Sequence, residues 1–299
     1  MARAMAAPSG SLVADLVSVF KLRIGLAITL SAMGGIAVTP GPLPETWRLA
    51  VLVGAVFLAS ASAGALNQLV ERDLDAQMHR TRGRPFVTGR LVAGPAWLAG
   101  IIGLLALAVG TAAIAINGWA AFYTFMGAFT YGVVYTIWLK RRSWTNIVVG
   151  GLAGSFAVLA GAAAVDPQLS PAPIILAIVL FLWTPPHFWS LATALHDDYA
   201  RAGVPMLPVV VGDAACAKVI LAHTVILSLV ALLPVLFGMG PVYLASAILG
   251  GAWFVWQSVA LVREPTRRRA MLNFAASLVQ LTLLLVGAML DRWLLGAWA

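Results

Sequence analysis

Nine apolar runs divide this sequence, and each of them is long enough to cross a lipid bilayer. A membrane-spanning helix needs roughly 17 to 25 apolar residues, because bilayer hydrocarbon cannot hydrogen-bond an exposed backbone. Hydrophobic residues make up 61% of the chain and charged residues only 10%. The sequence therefore predicts an all-α integral membrane protein with nine transmembrane helices. The runs lie at residues 18–38, 48–66, 92–113, 117–138, 144–165, 171–194, 218–238, 240–262 and 271–294.

The connections between these runs are mostly short and carry turn-forming residues, as in PGPLPE at 40–45 and GMGP at 238–241. Such loops leave no room for a separate soluble domain. We therefore expect residues 1–17 to form a short cytoplasmic segment and residues 18–299 to form a single transmembrane domain.

The basic residues predict the orientation of the chain. If the N-terminus is cytoplasmic, all Lys and Arg residues except Arg48 and Arg292, out of 19, fall on the cytoplasmic side. This bias is the positive-inside pattern of membrane proteins. It also accounts for the formal net charge of +8, so the charge does not indicate binding to nucleic acid.

A first cluster of acidic residues follows the second apolar run. If the helix continues past the membrane, Asn67, Glu71 and Asp75 are spaced four residues apart and share one face, whereas Asp73 points away from it. Like charges at this spacing repel each other, so the stripe does not favour helix stability. A divalent cation would remove the repulsion, and Mg²⁺ prefers oxygen ligands of this kind.

A second acidic pair, Asp197 and Asp198, follows the sixth run on the same side of the membrane. Acidic side chains are costly near a bilayer, which favours a functional role for both clusters. The alternative is a solvated loop whose acids pair with neighbouring arginines. Basic residues of the same loops, including Arg80, Arg84 and the run 140–142, can donate charge-assisted hydrogen bonds to phosphate oxygens. A site with carboxylates, Mg²⁺ and guanidinium groups suits a diphosphate.

Several motifs then identify a family resemblance. NQLVERDLD at 67–75 resembles the N-x-x-x-D-x-x-x-D motif of the UbiA superfamily of intramembrane prenyltransferases. The segments MHRTRGRP at 78–85, WTPPHFWSLA at 183–192 and DYARAGVPMLPVV at 198–210 are similar to the branch of that superfamily that makes heme O. The segment at 135–151 also matches that branch.

The resemblance implies a nine-helix bundle that transfers the farnesyl group of farnesyl diphosphate to a vinyl group of heme B, with addition of water, to give heme O. It implies a multi-pass protein of the inner or plasma membrane with a cytoplasmic active site, and it makes heme A synthase a candidate partner. Mg²⁺ is the implied cofactor, and heme B is a substrate. The implied metal ligands are Asn67, Glu71, Asp75, Asp197 and Asp198, and all of these except Asp197 are also the implied catalytic residues. The implied diphosphate ligands are Lys21, Arg80, Arg84, Lys140 and Arg141, and His187 is the implied heme contact.

The sequence departs from the family pattern in three places. Glu71 stands where the family commonly has Asp, and Leu22 replaces a usual Pro. After Gly154 the family has a pair of prolines and a Trp, whereas this chain reads SFAVLAGA. Within the enzyme class, the alternative is a prenyltransferase acting on a quinone precursor, a chlorophyllide or another lipid. A transporter or an oxidase assembly factor is the alternative from another class, but a transporter would carry its ionisable groups near the membrane midplane.

Overall fold

The structure is a computed structural model that describes residues 11–295, and this part of the chain is built from helices. A π-helix spans Thr130–Leu139 and a 3₁₀-helix spans Leu233–Phe237. The α-helices are α1 (Leu12–Val19), α2 (Leu22–Val38), α3 (Thr46–Val70), α4 (Arg72–Gln77), α5 (Pro85–Thr88), α6 (Pro95–Ala115), α7 (Gly118–Phe129), α8 (Asn146–Gly150), α9 (Leu152–Val165), α10 (Pro171–Ala194), α11 (His196–Arg201), α12 (Leu207–Val211), α13 (Asp213–Val230), α14 (Pro241–Arg263) and α15 (Arg267–Leu295).

The predicted all-α membrane architecture is confirmed. Within residues 11–295, eight helical stretches are long and apolar enough to cross a bilayer, and α1 with α2 makes a ninth if the bent pair counts as one span. The long helices follow the predicted runs, and α6, α10 and α14 each begin with a proline, whose missing N–H costs nothing in the first turn. Their exposed side chains are largely Leu, Ile, Val, Phe and Trp, as a lipid-facing surface requires.

The first run differs from the prediction because it is not one straight helix. It bends by 44° between α1 and α2, where Lys21 adopts a left-handed backbone conformation with φ 48°. That conformation costs a residue with a side chain roughly 1–2 kcal/mol. The bend turns the Lys21 side chain inward, where its amine hydrogen-bonds to Asn67 and Tyr131. These polar contacts offset the cost of the bend.

Helices α2 and α9 pack closely through small residues. A Cβ atom added to Gly35 would lie 2.0 Å from the backbone oxygen of Val158, and one added to Gly161 would lie 1.9 Å from that of Ala32. Gly161 belongs to the SFAVLAGA stretch, at the position where the family pattern also has Gly. A side chain at either glycine would prevent this backbone contact.

The last turns of α15 fix the end of the bundle that lies far from the acidic motifs. Asp291 accepts hydrogen bonds from the backbone N–H groups of Gly240, Val242 and Tyr243 at the start of α14. Arg292 donates to the carbonyls of Ile36 and Thr39, at the C-terminal end of α2. Both charges thus satisfy backbone groups that a helix end leaves without partners.

Candidate active site

A cavity of about 910 Å³ opens inside the bundle and joins two different environments. At one end it is lined by acidic, basic and tyrosine side chains near the C-terminal end of α3. The remainder is lined mainly by apolar side chains of α2, α3, α9, α10 and α15, with His187 among them. A molecule with a charged head and a long apolar chain matches this division.

The predicted acidic stripe lines the charged end of the cavity. Helix α3 ends at Val70, yet the helical hydrogen bonds continue, from Glu71 N–H to Asn67 O at 2.9 Å and from Asp75 N–H to Glu71 O at 2.8 Å. Asn67, Glu71 and Asp75 are 2%, 1% and 3% exposed, and all three line the cavity. The structure thus confirms that the four-residue spacing places them on one face.

Each member of the stripe contacts a basic side chain, and two of the three basic residues come from distant parts of the sequence. The amine of Lys21 lies 2.5 Å from Asn67 Oδ1, and the amine of Lys140 lies 2.5 Å from Glu71 Oε2. Arg84 donates to Asp75 Oδ2 at 2.6 Å. These contacts bring three of the predicted diphosphate ligands to the stripe, and Arg80 lines the same cavity.

The π-helix supplies an aromatic wall next to these charges. The rings of Tyr131 and Tyr135 stack with centroids 5.7 Å apart, and both tyrosines line the cavity. Lys21 lies 5.5 Å from the centroid of Tyr131 and Lys140 lies 5.7 Å from that of Tyr135, so each amine also contacts a negative ring face. The electron-rich rings therefore favour positive charge at this end of the cavity.

The second acidic cluster lies beside the first one but does not join it. Asp198 is buried on α11, where it pairs with Arg201 and accepts a hydrogen bond from the backbone N–H of Arg80 at 3.4 Å. Burial acts to raise the pKa of Asp198, but the backbone N–H groups of His79 and Arg80, with Arg201, outweigh it and lower the pKa below its usual value. Asp197 is exposed. Neither acid lines the cavity, so their predicted convergence with Glu71 and Asp75 is not found in this structure.

Asp73 and Arg141 form a separate surface pair. Arg141 donates two hydrogen bonds of 2.7 Å to the Asp73 carboxylate, and both side chains are substantially exposed. The Arg141 guanidinium holds the pKa of Asp73 below its usual value. Asp73 points away from the stripe, as its position in the helix predicts. Arg141 lies outside the cavity, so the structure does not bring this predicted diphosphate ligand to the site.

His187 lies in the apolar part of the cavity wall, between two aromatic rings. Its imidazole stacks on Trp183 with centroids 4.2 Å apart and on Phe274 with centroids 4.4 Å apart. Its Nδ1 atom lies 2.7 Å from the hydroxyl oxygen of Ser277. The ring is 7% exposed, which leaves one edge open to the cavity.

Comparison with known families decides what kind of protein carries this site. The model of the UbiA prenyltransferase family matches residues 28–295, which is nearly the whole chain. The chain belongs to the UbiA prenyltransferase family. Together with the apolar helices, membership of this family makes it a multi-pass membrane protein.

Two relatives within the UbiA family align with most of this chain. Protoheme IX farnesyltransferase 2 of Paramagnetospirillum magneticum is 58% identical over 281 residues, covering 94% of this chain and 98% of the relative. Protoheme IX farnesyltransferase 1 of the same organism is 46% identical, covering 92% of this chain and 97% of the relative.

Solved structures share the UbiA fold at low sequence identity. One, from a study of digeranylgeranylglyceryl phosphate synthase in membranes, superimposes with a TM-score of 0.75 at 16% identity, covering 93% of this chain and 98% of the other. A UbiA homolog from Archaeoglobus fulgidus bound to DMAPP and Mg²⁺ superimposes with a TM-score of 0.69 at 18% identity, covering 90% and 99%. At this identity the likeness concerns the fold.

The donor set at the charged end of this UbiA site suits a hard cation. Glu71 Oε1 is buried and has no hydrogen-bond partner among the described residues, and its carboxylate lies in the same stripe as Asn67 and Asp75. No three acidic, histidine or cysteine side chains within residues 11–295 are grouped to hold an ion by themselves. Mg²⁺ commonly takes only one or two carboxylates and completes its shell with substrate phosphates and water. The residues present therefore fit a magnesium ion that arrives with a diphosphate.

Sequence reasoning missed several side chains that complete the site. Tyr131 and Tyr135 were not predicted, because the π-helix that directs both rings into the cavity has no clear signal in an apolar run. Phe274 and Ser277 come from α15, about ninety residues after His187. Trp183 lies four residues before His187 on α10, and this spacing is consistent with the observed stacking.

Proposed function

We propose that this chain transfers the farnesyl group of farnesyl diphosphate to a vinyl group of heme B, with addition of water, to give heme O and diphosphate. The observation that carries the proposal is the single cavity that joins a charged end, with Glu71 and Lys140, to an apolar chamber containing His187. The names of the relatives support heme as the acceptor, because both are protoheme IX farnesyltransferases that align over nearly their full lengths.

The charged end would hold the diphosphate. Lys21, Arg84 and Lys140 each donate a hydrogen bond to one member of the stripe, and Arg80 lines the same cavity. In the proposed complex these cations donate to phosphate oxygens, and Arg can do so through two parallel hydrogen bonds. Arg141 is held by Asp73 outside the cavity, so in our proposal it fixes α4 to the loop after the π-helix and does not bind substrate.

Asn67, Glu71 and Asp75 would hold Mg²⁺. Asp198 would support the loop that carries Arg80, because it accepts a hydrogen bond from the backbone N–H of that residue. The UbiA homolog bound to DMAPP and Mg²⁺ supports this assignment. A bound magnesium ion would supply positive charge that stabilises the departing diphosphate. Asp197 is exposed on the same helix as Asp198, and we do not include it among the direct ligands.

The rest of the site would position the reacting groups. As the allylic C–O bond breaks, positive charge develops on the farnesyl chain beside the stacked faces of Tyr131 and Tyr135. The heme vinyl group forms a bond to C1 of the chain, and the resulting cation on the vinyl carbon takes the oxygen of a water, which releases a proton. The apolar lining holds the isoprenoid and limits the water that could quench the first cation.

The heme would occupy the apolar chamber, where His187 is the polar group that we assign to it. The chamber continues from the charged end along α10 and α15, so a porphyrin edge there can approach the farnesyl carbon that leaves the diphosphate. Bringing the two reactants together in one orientation accounts for much of the rate that such a site can provide.

The distribution of charge supports a cytoplasmic active site in the inner or plasma membrane. Among the basic residues of the described range 11–295, only Arg48 and Arg292 belong to the end of the bundle opposite the acidic stripe. The positive-inside pattern places the larger group in the cytoplasm. Heme A synthase, which would take heme O as its substrate, is the partner that we propose downstream.

A product assay tests the proposal. The purified chain in lipid nanodiscs is incubated with heme B, farnesyl diphosphate and Mg²⁺, and the hemes are separated by chromatography and weighed by mass spectrometry. We expect a new heme whose mass has increased by one farnesyl group and one hydroxyl group, because the water that adds to the cation loses a proton. Prenylation of a quinone precursor, a chlorophyllide or another lipid, with heme B left unchanged, would refute the heme acceptor. Chelation of Mg²⁺ by EDTA should stop product formation, and excess Mg²⁺ should restore it.

A further inference from the structure

The imidazole of His187 is held in one orientation by three neighbours. Trp183 and Phe274 cover its two faces at interplanar angles of 19° and 26°, and Ser277 contacts Nδ1 at its edge. Stacking on both sides prevents the ring from rotating about its Cβ–Cγ bond without displacing an aromatic side chain. The remaining ring nitrogen, Nε2, therefore has a fixed direction.

The hydrogen bonds of Ser277 determine which ring nitrogen carries the proton. The Ser277 hydroxyl donates its single proton to the backbone carbonyl of Phe274 at 2.6 Å. It can then only accept at the 2.7 Å contact with His187, so Nδ1 must be the protonated nitrogen. In neutral imidazole the other nitrogen is then an acceptor with a free lone pair. His187 is thus held in the tautomer that has an unprotonated Nε2.

This Nε2 atom has no hydrogen-bond partner within the described part of the chain, although the His187 side chain is more than nine-tenths buried. Nε2 is not fully enclosed by protein atoms, so it is accessible from the cavity that His187 lines. A buried, oriented and unpartnered imidazole nitrogen is unfavourable unless a ligand satisfies it. Neutral imidazole with its other N–H hydrogen-bonded is a common arrangement for binding a metal.

We infer that His187 Nε2 is the axial ligand of the iron of the acceptor heme, and that Ser277, Trp183 and Phe274 are positioning residues that set its tautomer and direction. The inference rests on the proposed function and deepens it. Axial ligation fixes the height and tilt of the porphyrin in the apolar chamber. It would therefore determine which porphyrin edge approaches the farnesyl carbon.

The test compares two porphyrins that differ only in the metal. Ferric heme B and iron-free protoporphyrin IX are titrated into the full chain in nanodiscs, with binding followed by quenching of tryptophan fluorescence and, for heme, by absorbance. We expect the parent chain to bind heme more tightly than the iron-free porphyrin, and His187→Ala to bind the two equally. Added imidazole should restore the histidine-ligated heme spectrum of His187→Ala, because it supplies the missing ligand atom.

Ser277→Ala tests the positioning role. Loss of a hydrogen-bond partner of a ligating histidine typically weakens metal affinity by about 10-fold or more, so heme affinity should fall by that factor while protoporphyrin affinity stays the same. Ser155→Ala is the matched control, since it also removes a buried hydroxyl that donates to a backbone carbonyl, but this hydroxyl bonds to Ala177 and not to His187. His223→Ala is the control for losing a histidine, because His223 contacts Val219 and Trp189 and does not line the cavity.

An unchanged heme spectrum and an unchanged preference for heme in His187→Ala would overturn the inference. If that variant fails to fold, resonance Raman spectroscopy of the ferrous parent complex decides the question, because the absence of an iron–histidine stretching band would also overturn it. Heme O formation by the parent chain is measured in the same preparation. A parent chain that makes heme O without histidine ligation refutes only this inference, whereas one that prenylates another acceptor refutes the proposed function.

Discussion

The buried ion pair between Glu71 and Lys140 allows the stability of the site to be separated from its activity. Glu71 is 1% exposed, and its Oε2 contact with the Lys140 amine is its only side-chain hydrogen bond within the described residues, because Oε1 has no partner. The substitution Lys140→Met keeps a side chain of similar length but leaves both carboxylate oxygens unpaired. Removing one partner of a buried pair typically costs about 3–5 kcal/mol. We expect a loss of stability in that range.

The companion substitution is Glu71→Gln, which removes the charge while keeping the shape. In the double variant, Glu71→Gln with Lys140→Met, no carboxylate is left without its cation. The loss should therefore be smaller than the sum of the two single losses, by about 2–3 kcal/mol, as expected for directly coupled residues. Both single variants and the double variant should have little prenyl-transfer activity, because the proposed diphosphate and metal sites use these side chains.

Reversible unfolding in detergent micelles, followed by tryptophan fluorescence, measures these differences, and the chain contains 11 tryptophans. Lys218→Met is the control for losing a lysine, because Lys218 is exposed and lies outside the cavity lining. A Lys140→Met variant as stable as the parent chain would refute the argument. So would a double variant whose loss equals the sum of the single losses, because it would mean that the two residues do not stabilise each other.

Three further experiments test other parts of the structure. Gly161→Ala places a Cβ atom 1.9 Å from a backbone oxygen of α2, and it should destabilise the fold by about 3 kcal/mol in the same unfolding measurement. Gly103→Ala is the control, because no atom lies within 4 Å of its added Cβ, and it should be neutral or stabilising. Arg84→Ala should raise the KM for farnesyl diphosphate in the product assay, and Arg141→Ala should leave it unchanged, since only Arg84 lines the cavity. Arg141 holds the pKa of Asp73 below its ordinary value of 3.8. The ion pair therefore stabilises the folded state at pH values above 3.8, and this stabilisation is lost as the pH falls through the lowered pKa. Asp73→Asn should thus be slightly less stable than the parent chain above about pH 4, by less than about 1 kcal/mol for such an exposed pair, and the two melting curves should converge in stronger acid.

The fold could be predicted from the sequence because the bilayer imposes its constraint on each segment separately. A helix that crosses hydrocarbon must satisfy its own backbone and present apolar side chains, so length and hydropathy were sufficient to locate the spans. The bend at Lys21 and the π-helix at Thr130–Leu139 were not predictable in this way. Both depend on contacts with other helices, such as the hydrogen bond from the Lys21 amine to Tyr131.

The acidic stripe was predicted because its geometry is local. Asn67, Glu71 and Asp75 are four residues apart on one helical path, so their common face follows from the helix repeat alone. The substitution of Glu for the usual Asp at position 71 could be read from the sequence. The structure shows where the extra methylene leads, since the longer side chain reaches the amine of Lys140.

The partners of these acids were decided by the tertiary structure. The sequence contains several basic residues near the membrane surface, and Arg141 and Lys140 received the same predicted role because they are adjacent. Adjacent residues point in different directions, and here Lys140 enters the cavity while Arg141 pairs with the exposed Asp73. In the same way the sequence determined that His187 lies on an apolar helix, but only the packing of α15 against α10 brings Ser277 and Phe274 to its ring. A pattern in the sequence can determine which face of a helix a residue occupies, whereas the group that meets it is set by long-range packing.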